Sequence, residues 1–426
     1  MVDATANLSE PTAKGGYAKQ IGTVGAFFFI FGFVTWVNGT LIPYLLIACQ
    51  LEEWQAYLVT FAFYISYTIM ALPSSKILQR TGMIKGMRLG LIIMAFGCLI
   101  FIPAALMRYY PIFLLGLFVV GTGTTLLQTA VNPYITLLGP AHKAAQRMSI
   151  MGICNKLAGV VAPIILGAII LNNAGDLIKE LAQYSPADKV LRLNELARAV
   201  IMPYTVLCII LLTIAFGIKY AHLPEIKPVA AEDTGQPINQ KNSVNFLLGF
   251  VAVFCTVGLE VLAGDTIGNY GLYHGFNLNI AKSLTSYTLA FTVIGYLFGS
   301  FAIPKFITQE KAFLYSAILG LIIAVLVIIT PGKTSIAFVA LLGLSNALLW
   351  PAIWPQALKG LSGAQLSRGS ALLIMGVAGG AIMPLIYGWL ARLTNNQAAY
   401  MLLLPCYLFN LYYCLRGSWF TTKTNR

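Results

Sequence analysis

The chain has 426 residues, 58% of them hydrophobic and only 10% charged, with a formal net charge of +13. A soluble domain carries roughly a quarter charged residues, so a soluble helical bundle with polar outer faces is excluded. Apolar runs of about 20 residues, the length that crosses a bilayer as helix, recur from end to end and make this a polytopic membrane protein.

The first segment, 1–20, is polar and has no cleavable apolar region, so the first apolar run is expected to remain as a span. Twelve spans are predicted: 22–48, 55–79, 85–107, 110–138, 145–172, 199–221, 245–273, 282–303, 311–330, 334–359, 366–391 and 397–417. Six precede and six follow a Pro-containing, charged stretch at 222–244, which reads as a linker. The expected fold is an all-α membrane protein with an N-terminal six-helix bundle at 1–221, the linker at 222–244 and a C-terminal six-helix bundle at 245–426. With the N-terminus inside, 18 of the 27 Lys and Arg fall in cytoplasmic tails and loops, 8 in outer loops, and Lys156 lies within a span. Short loops rich in Lys and Arg stay inside, so both termini are expected in the cytoplasm of a bacterium, with the chain in its inner membrane. This bias accounts for most of the positive charge and requires no nucleic-acid partner. The seven cysteines fall in predicted spans or, for Cys49, at the end of one, without metal-ligand spacing, and are read as buried thiols.

The two halves echo each other. Span 5 contains Gly159, Pro163 and Gly167 at four-residue spacing, and span 11 contains Gly380, Pro384 and Gly388 at the same spacing. Arg147 precedes the first set as Arg368 precedes the second. Gln128 and Asn132 lead to Pro133 in span 4, while Asn346 and Trp350 lead to Pro351 in span 10. Duplicated six-helix halves are the plan of transporters that bind substrate at mid-membrane between repeats. The glycines and prolines also suit close helix packing and kinks.

On these residues the chain resembles the major facilitator superfamily. Within it, WVNGTLIPYL (36–45), LLQTAVNPYITLLGP (126–140) and LLWPAIWPQALKGL (348–361) resemble the fucose:proton symporter family, which includes bacterial fucose and glucose/galactose permeases. The loop SSKILQRTGMIKGM resembles a degraded form of the superfamily's loop signature, with Gln79 where an Asp is usual. The resemblance implies a hexose or hexose-derivative permease working by alternating access. Fucose symporters of that family carry an Asp just before the segment matching Thr40–Pro43 and a Glu in span 4, where this chain has Gly39 and Gln128. Neither takes up a proton near neutral pH, so that proton route does not carry over. The glucose/galactose branch is matched instead through Glu260-Val261-x-x-Gly264 in span 7.

Glu260 and Asp265 are the two acidic residues inside the spans, and Lys156 is the one basic residue as deep. Ionisable groups in hydrocarbon are functional candidates by default. Glu260, helped or opposed by Lys156 and with Asp265 as second carboxylate, is the expected coupling set for a co-transported H+ or Na+; no other cofactor and no metal is expected. Glu260 and Asp265 are rotated by roughly 140° on a helix, so they are poorly placed to form one pair. Lys156 lies about 14 Å past Arg147 by helical rise and is expected to face the cavity, paired with Glu260 or Asp265 across the halves. A neutral, hydroxylated sugar needs amides and carboxylates in fixed positions plus an aromatic face. The expected sugar-binding residues are Asn38, Gln128, Asn132, Asn155, Glu260, Asn269, Asn346 and Trp350, with Trp36 a further stacking face and Trp354 a packing residue. The amides also suit helix-to-helix glue. The lipid bilayer is the other partner, and a monomer is expected. Enzyme motifs such as HExxH, GxSxG and the phosphate-binding GxxxxGK[ST] are absent. The alternatives kept open are a sugar uniporter with Lys156 as internal cation, a multidrug exporter and a non-transporting sugar sensor.

Overall fold

A computed structural model describes residues 14–138, 144–170, 181, 183–221, 223–224, 240–303, 306–359, 369–370 and 372–422. The described residues hold twelve helices long and apolar enough to cross a membrane: spans 1 (Gly16–Ala48), 2 (Glu53–Thr81), 3 (Met83–Met107), 4 (Tyr110–Ile135), 5 (Ile150–Ile170), 6 (Pro186–Ala221), 7 (Val244–Asp265), 8 (Leu278–Ala302), 9 (Gln309–Ile329), 10 (Lys333–Ala357), 11 (Leu372–Leu393) and 12 (Ala398–Arg416). Every predicted span is matched by one of them. Helix is imposed by the medium, because hydrocarbon offers no partner to a free backbone amide. Large apolar side chains such as Phe96, Ile209, Phe298 and Phe301 face outward, while Tyr and Phe rings fill the interior.

Spans 1 and 2, 2 and 4, 3 and 4, 1 and 5, and 3 and 6 pack together in the first half; spans 7 and 11, 8 and 10, 9 and 10, 9 and 12, and 7 and 12 do so in the second. The halves meet chiefly where span 5 crosses span 8 and span 11 crosses span 2. The repeated glycines sit on these crossings. A Cβ at Gly159 would lie 2.9 Å from Leu289 of span 8, and one at Gly167 3.3 Å from the Lys282 side chain. In the other half a Cβ at Gly380 would lie 3.1 Å from Tyr64, and one at Gly388 3.1 Å from the Trp54 backbone, both on span 2. The duplication read in sequence is thus a duplication of the two helix crossings that join the halves.

An even number of spans puts the start of span 1 and the end of span 12 on one face, here called the termini end; the opposite face is the far end. Among the interrupted spans, three break beside candidate residues. Span 1 breaks at Val37 between helices Lys14–Trp36 and Asn38–Ala48. Span 7 bends at Thr266, where Gln240–Asp265 gives way to Ile267–Tyr273. Span 10 breaks between Asn346 and Leu349, where Pro351 cannot donate to the carbonyl of Ala347. Span 4 carries Pro133 and stays continuous from Tyr110 to Leu137.

One helix lies where the sequence reading expects an outer loop. Pro186–Arg198 starts at Ser185, whose hydroxyl accepts from the Asp188 amide, and turns at Ala199 into the transmembrane part of span 6. Tyr44 of span 1 donates to the carbonyls of Leu196 (2.7 Å) and Ala197 (3.0 Å), holding it over the far end of the first half. The linker expected at 222–244 falls largely outside the described residues, and the helix of span 7 already begins at Gln240. Arg368 also lies outside them.

Candidate functional site

Lys156 of span 5 and Glu260 of span 7 form an ion pair across the two halves at mid-depth. The Lys156 and Glu260 side chains are 10% and 20% exposed. Each ion removes the main cost of burying the other, so the pair stands or falls together. The Lys156 ammonium also lies 4.6 Å from the centroid of the Trp36 ring, a cation–π contact. Two glycines make room for that indole. A Cβ at Gly159 would come within 2.6 Å of it from span 5, and one at Gly264 within 2.6 Å from span 7. The reach of Lys156 to Glu260, rather than Asp265, settles the choice that sequence leaves open.

Five residues further along span 7, Asp265 faces the other way, toward span 2. Its Oδ2 accepts from the Thr60 hydroxyl at 3.3 Å. Its Oδ1 is buried without a hydrogen-bond partner, and the residue is 0% exposed. Asn269, one turn on and so on the same face, is buried beside the Tyr57 phenol, with no hydrogen bond of good geometry to either amide atom. Thr60 and Tyr57 are three residues apart on span 2, so the two pairs form successive rungs between spans 2 and 7.

Beyond these rungs the far end is sealed by rings. Tyr57 meets Tyr387 edge-on at 5.6 Å, Tyr387 lies 4.8 Å from Tyr400, and Tyr400 lies 4.9 Å from Tyr270. Tyr400 shares a 2.7 Å hydrogen bond with Thr266, and Tyr270 one of 2.6 Å with Ser335. At the surface Arg392 pairs with Glu52 at 3.3 Å. Deeper in, Thr68 donates to the Met375 carbonyl at 3.2 Å. The seam is therefore shut from the far end to mid-depth; nearer the termini end, Gln128 and Asn132 of span 4 are half-buried.

The remaining candidates divide by what holds them. Asn38 is 0% exposed at the break in span 1, and neither amide atom has a partner. The Asn155 amide donates to the Phe28 carbonyl at 3.3 Å, so it ties span 5 to span 1. Asn346 accepts from Tyr407 at 2.6 Å, within its own half, and its Nδ2 is buried without a partner. Trp350 and Trp354 pair with each other at 5.3 Å. Tyr57, Thr60 and Tyr64 were not among the sequence candidates. A Thr or Tyr in a span carries no signal of its own, and only its facing Asp265 and Asn269 makes it part of a site.

This arrangement has relatives. The Major Facilitator Superfamily model matches residues 24–384. The chain belongs to the major facilitator superfamily. It is a membrane transporter by family, not an enzyme. It is similar over 96% of its length to a protein of Brucella abortus named glucose/galactose transporter, at 32% identity and 97% coverage of that protein. It is 24% identical to the L-fucose-proton symporter of Escherichia coli K12, covering 89% of this chain and 88% of that one. Among solved structures, the transporter FucP in an outward conformation superposes with a TM-score of 0.73 at 23% identity, covering 94% of this chain and 99% of FucP. A bacterial homologue of the human lysosomal transporter Spinster, inward-facing, reaches 0.65 at 15% identity, covering 96% and 98%. At these identities both likenesses concern the fold.

Proposed function

We propose that the protein is a sugar permease that carries a neutral hexose or hexose derivative across the bacterial cytoplasmic membrane by alternating access. The observation that carries this reading is the cross-half ion pair Lys156–Glu260 beneath a sealed far end, in a chain whose full-length relatives bear sugar-transporter names. In this reading both termini are cytoplasmic and the structure is the state closed to the outside. Residues 1–221 and 245–426 rock as two bodies about the crossings of spans 5 with 8 and 2 with 11.

The sugar site lies at mid-depth. Glu260 offers carboxylate oxygens to sugar hydroxyls, Gln128 and Asn132 offer amides from span 4, and the break in span 1 presents Asn38 and the Trp36 ring. Asn346 and Trp350 complete the set when the halves reorient. Asn155 acts as helix glue. The transport is cation-coupled symport. A uniporter is the second reading, favoured by the Lys156 ammonium, which already supplies Glu260 with a counter-charge.

The test is uptake of a panel of labelled hexoses into proteoliposomes holding the full chain, with Na+ and pH gradients imposed one at a time. Saturable uptake or exchange of at least one neutral hexose is expected, impaired in Gln128→Ala. Absence of hexose uptake and exchange, together with transport of apolar drugs, would replace this reading by the exporter. A cysteine at position 185 should label from outside and one at position 234 from inside; the reverse pattern inverts the orientation.

A further inference from the structure

We propose that Asp265, with Thr60 and Asn269, forms a monovalent-cation site, and that this site rather than the Lys156–Glu260 pair carries the coupling ion. The proposal builds on the permease reading above. The two carboxylates of span 7 are five residues apart, roughly 140° around the helix, and they differ in counter-charge. Glu260 has the Lys156 ammonium, so that pair is neutral as it stands. Asp265 is fully buried, and among the described residues no ammonium, guanidinium or imidazole pairs with it. A lone carboxylate in that setting costs several kcal/mol. A bound proton or sodium ion removes the cost.

The surroundings are those of a small hard cation. Asp265 Oδ1 is unsatisfied, the Thr60 hydroxyl oxygen lies 3.3 Å from Oδ2, and Asn269 projects from the same helix face with both amide atoms unsatisfied. The carboxylate, the hydroxyl and the Asn269 amide oxygen are oxygen ligands, the type that hard cations take. The other groups that face Asp265 are the phenols of Tyr57 and Tyr64 from span 2 and the Glu260 carboxylate from its own helix. The bend at Thr266 lies between Asp265 and Asn269, as broken helices do at transporter ion sites. Asp265 belongs to the second half and Thr60 to the first. A cation held by both therefore favours the shut far end, which is how its binding is coupled to the rocking of the halves.

The experiment uses purified full-length protein and its thermal unfolding. One series varies Na+ against choline at fixed pH and ionic strength; the other varies pH without Na+. The wild type should be stabilised saturably by Na+ in the first series or by protons in the second, and the series that responds names the ion. Asp265→Asn should abolish the response. Thr60→Val, which removes one ligand and keeps the shape, should shift the midpoint roughly tenfold toward higher cation, the effect of losing one hydrogen bond to a charged group. In Lys156→Met/Glu260→Gln the cation response should persist even where transport fails. A wild type that responds to neither series overturns the proposal. So does an Asp265→Asn protein, or a folded Thr60→Val protein, that responds as the wild type does. Sugar counterflow in proteoliposomes reports separately on the permease reading: loss of counterflow in the wild type sinks that reading and leaves the unfolding data to judge the cation site.

Discussion

The far end and the termini end of the seam between the halves are built differently. At the far end, four tyrosines, an Arg392–Glu52 pair and the Thr60–Asp265 bond lock spans 2, 7, 11 and 12 together. Toward the termini end the amides of span 4 are half-buried and Glu260 keeps a fifth of its side chain exposed. The lesson is that closure here is distributed. Ring packing and hydrogen bonds at one end are individually weak, whereas the single ion pair at the centre is expensive to break. A transporter needs that balance, because a gate must open many times and a centre must not collapse.

The largest effect is expected at the centre. Lys156→Ala leaves a buried, unpaired Glu260 and should lower stability by about 3 kcal/mol, read by chemical unfolding in detergent; Lys156→Met/Glu260→Gln should recover most of it. If the single variant is as stable as the wild type, the pair is not the anchor described. Next comes the far-end crossing. Gly388→Val puts a branched side chain against Tyr57 and the Trp54 backbone, and should hold the far end apart. An Asn269→Cys thiol should then label from outside at least tenfold faster than in the parent, a shift of more than ~1.4 kcal/mol in the opening equilibrium. Unchanged labelling would mean that the seal opens elsewhere. A smaller change is expected from Tyr400→Phe, which removes the hydroxyl bonded to Thr266 while keeping the ring, and should raise the same labelling rate about threefold, within the range for one neutral hydrogen bond. Smallest is Arg392→Ala. Both partners of that surface pair are more than half exposed, so the change should stay within ~0.5 kcal/mol and vanish in high salt.

Much of this was legible in the sequence for simple reasons. A span needs about 20 apolar residues, and such runs leave little ambiguity. The Gly-Pro-Gly echo marked the two helices that later proved to form the crossings. Lys156 stood out because no solvated loop could hold it, and its partner came from a short list. The rest depended on facing, which spacing alone does not give. Pro351 breaks its span and Pro133 does not, although both follow a similar polar step. Asn155, expected as a ligand contact, also donates an amide N–H to the Phe28 carbonyl. Asn346 has its oxygen taken by Tyr407 of span 12, a residue with no polar spacing to announce it. The stretch 186–198 read as loop because charged residues interrupt its apolar positions, yet Ser185 caps it and Tyr44 holds it as helix.

The indole of Trp36, seated between Gly159 and Gly264, has a consequence for how the chain can change over time. The three positions share one fixed volume, with Trp36 and Gly159 in the first half of the chain and Gly264 in the second. A larger residue at either glycine has to be matched by a smaller one at position 36, with a new neighbour for the Lys156 ammonium. Sequences that keep this packing should therefore drift at these three sites together or not at all, and a lineage that swaps its second half for another's inherits the mismatch at once.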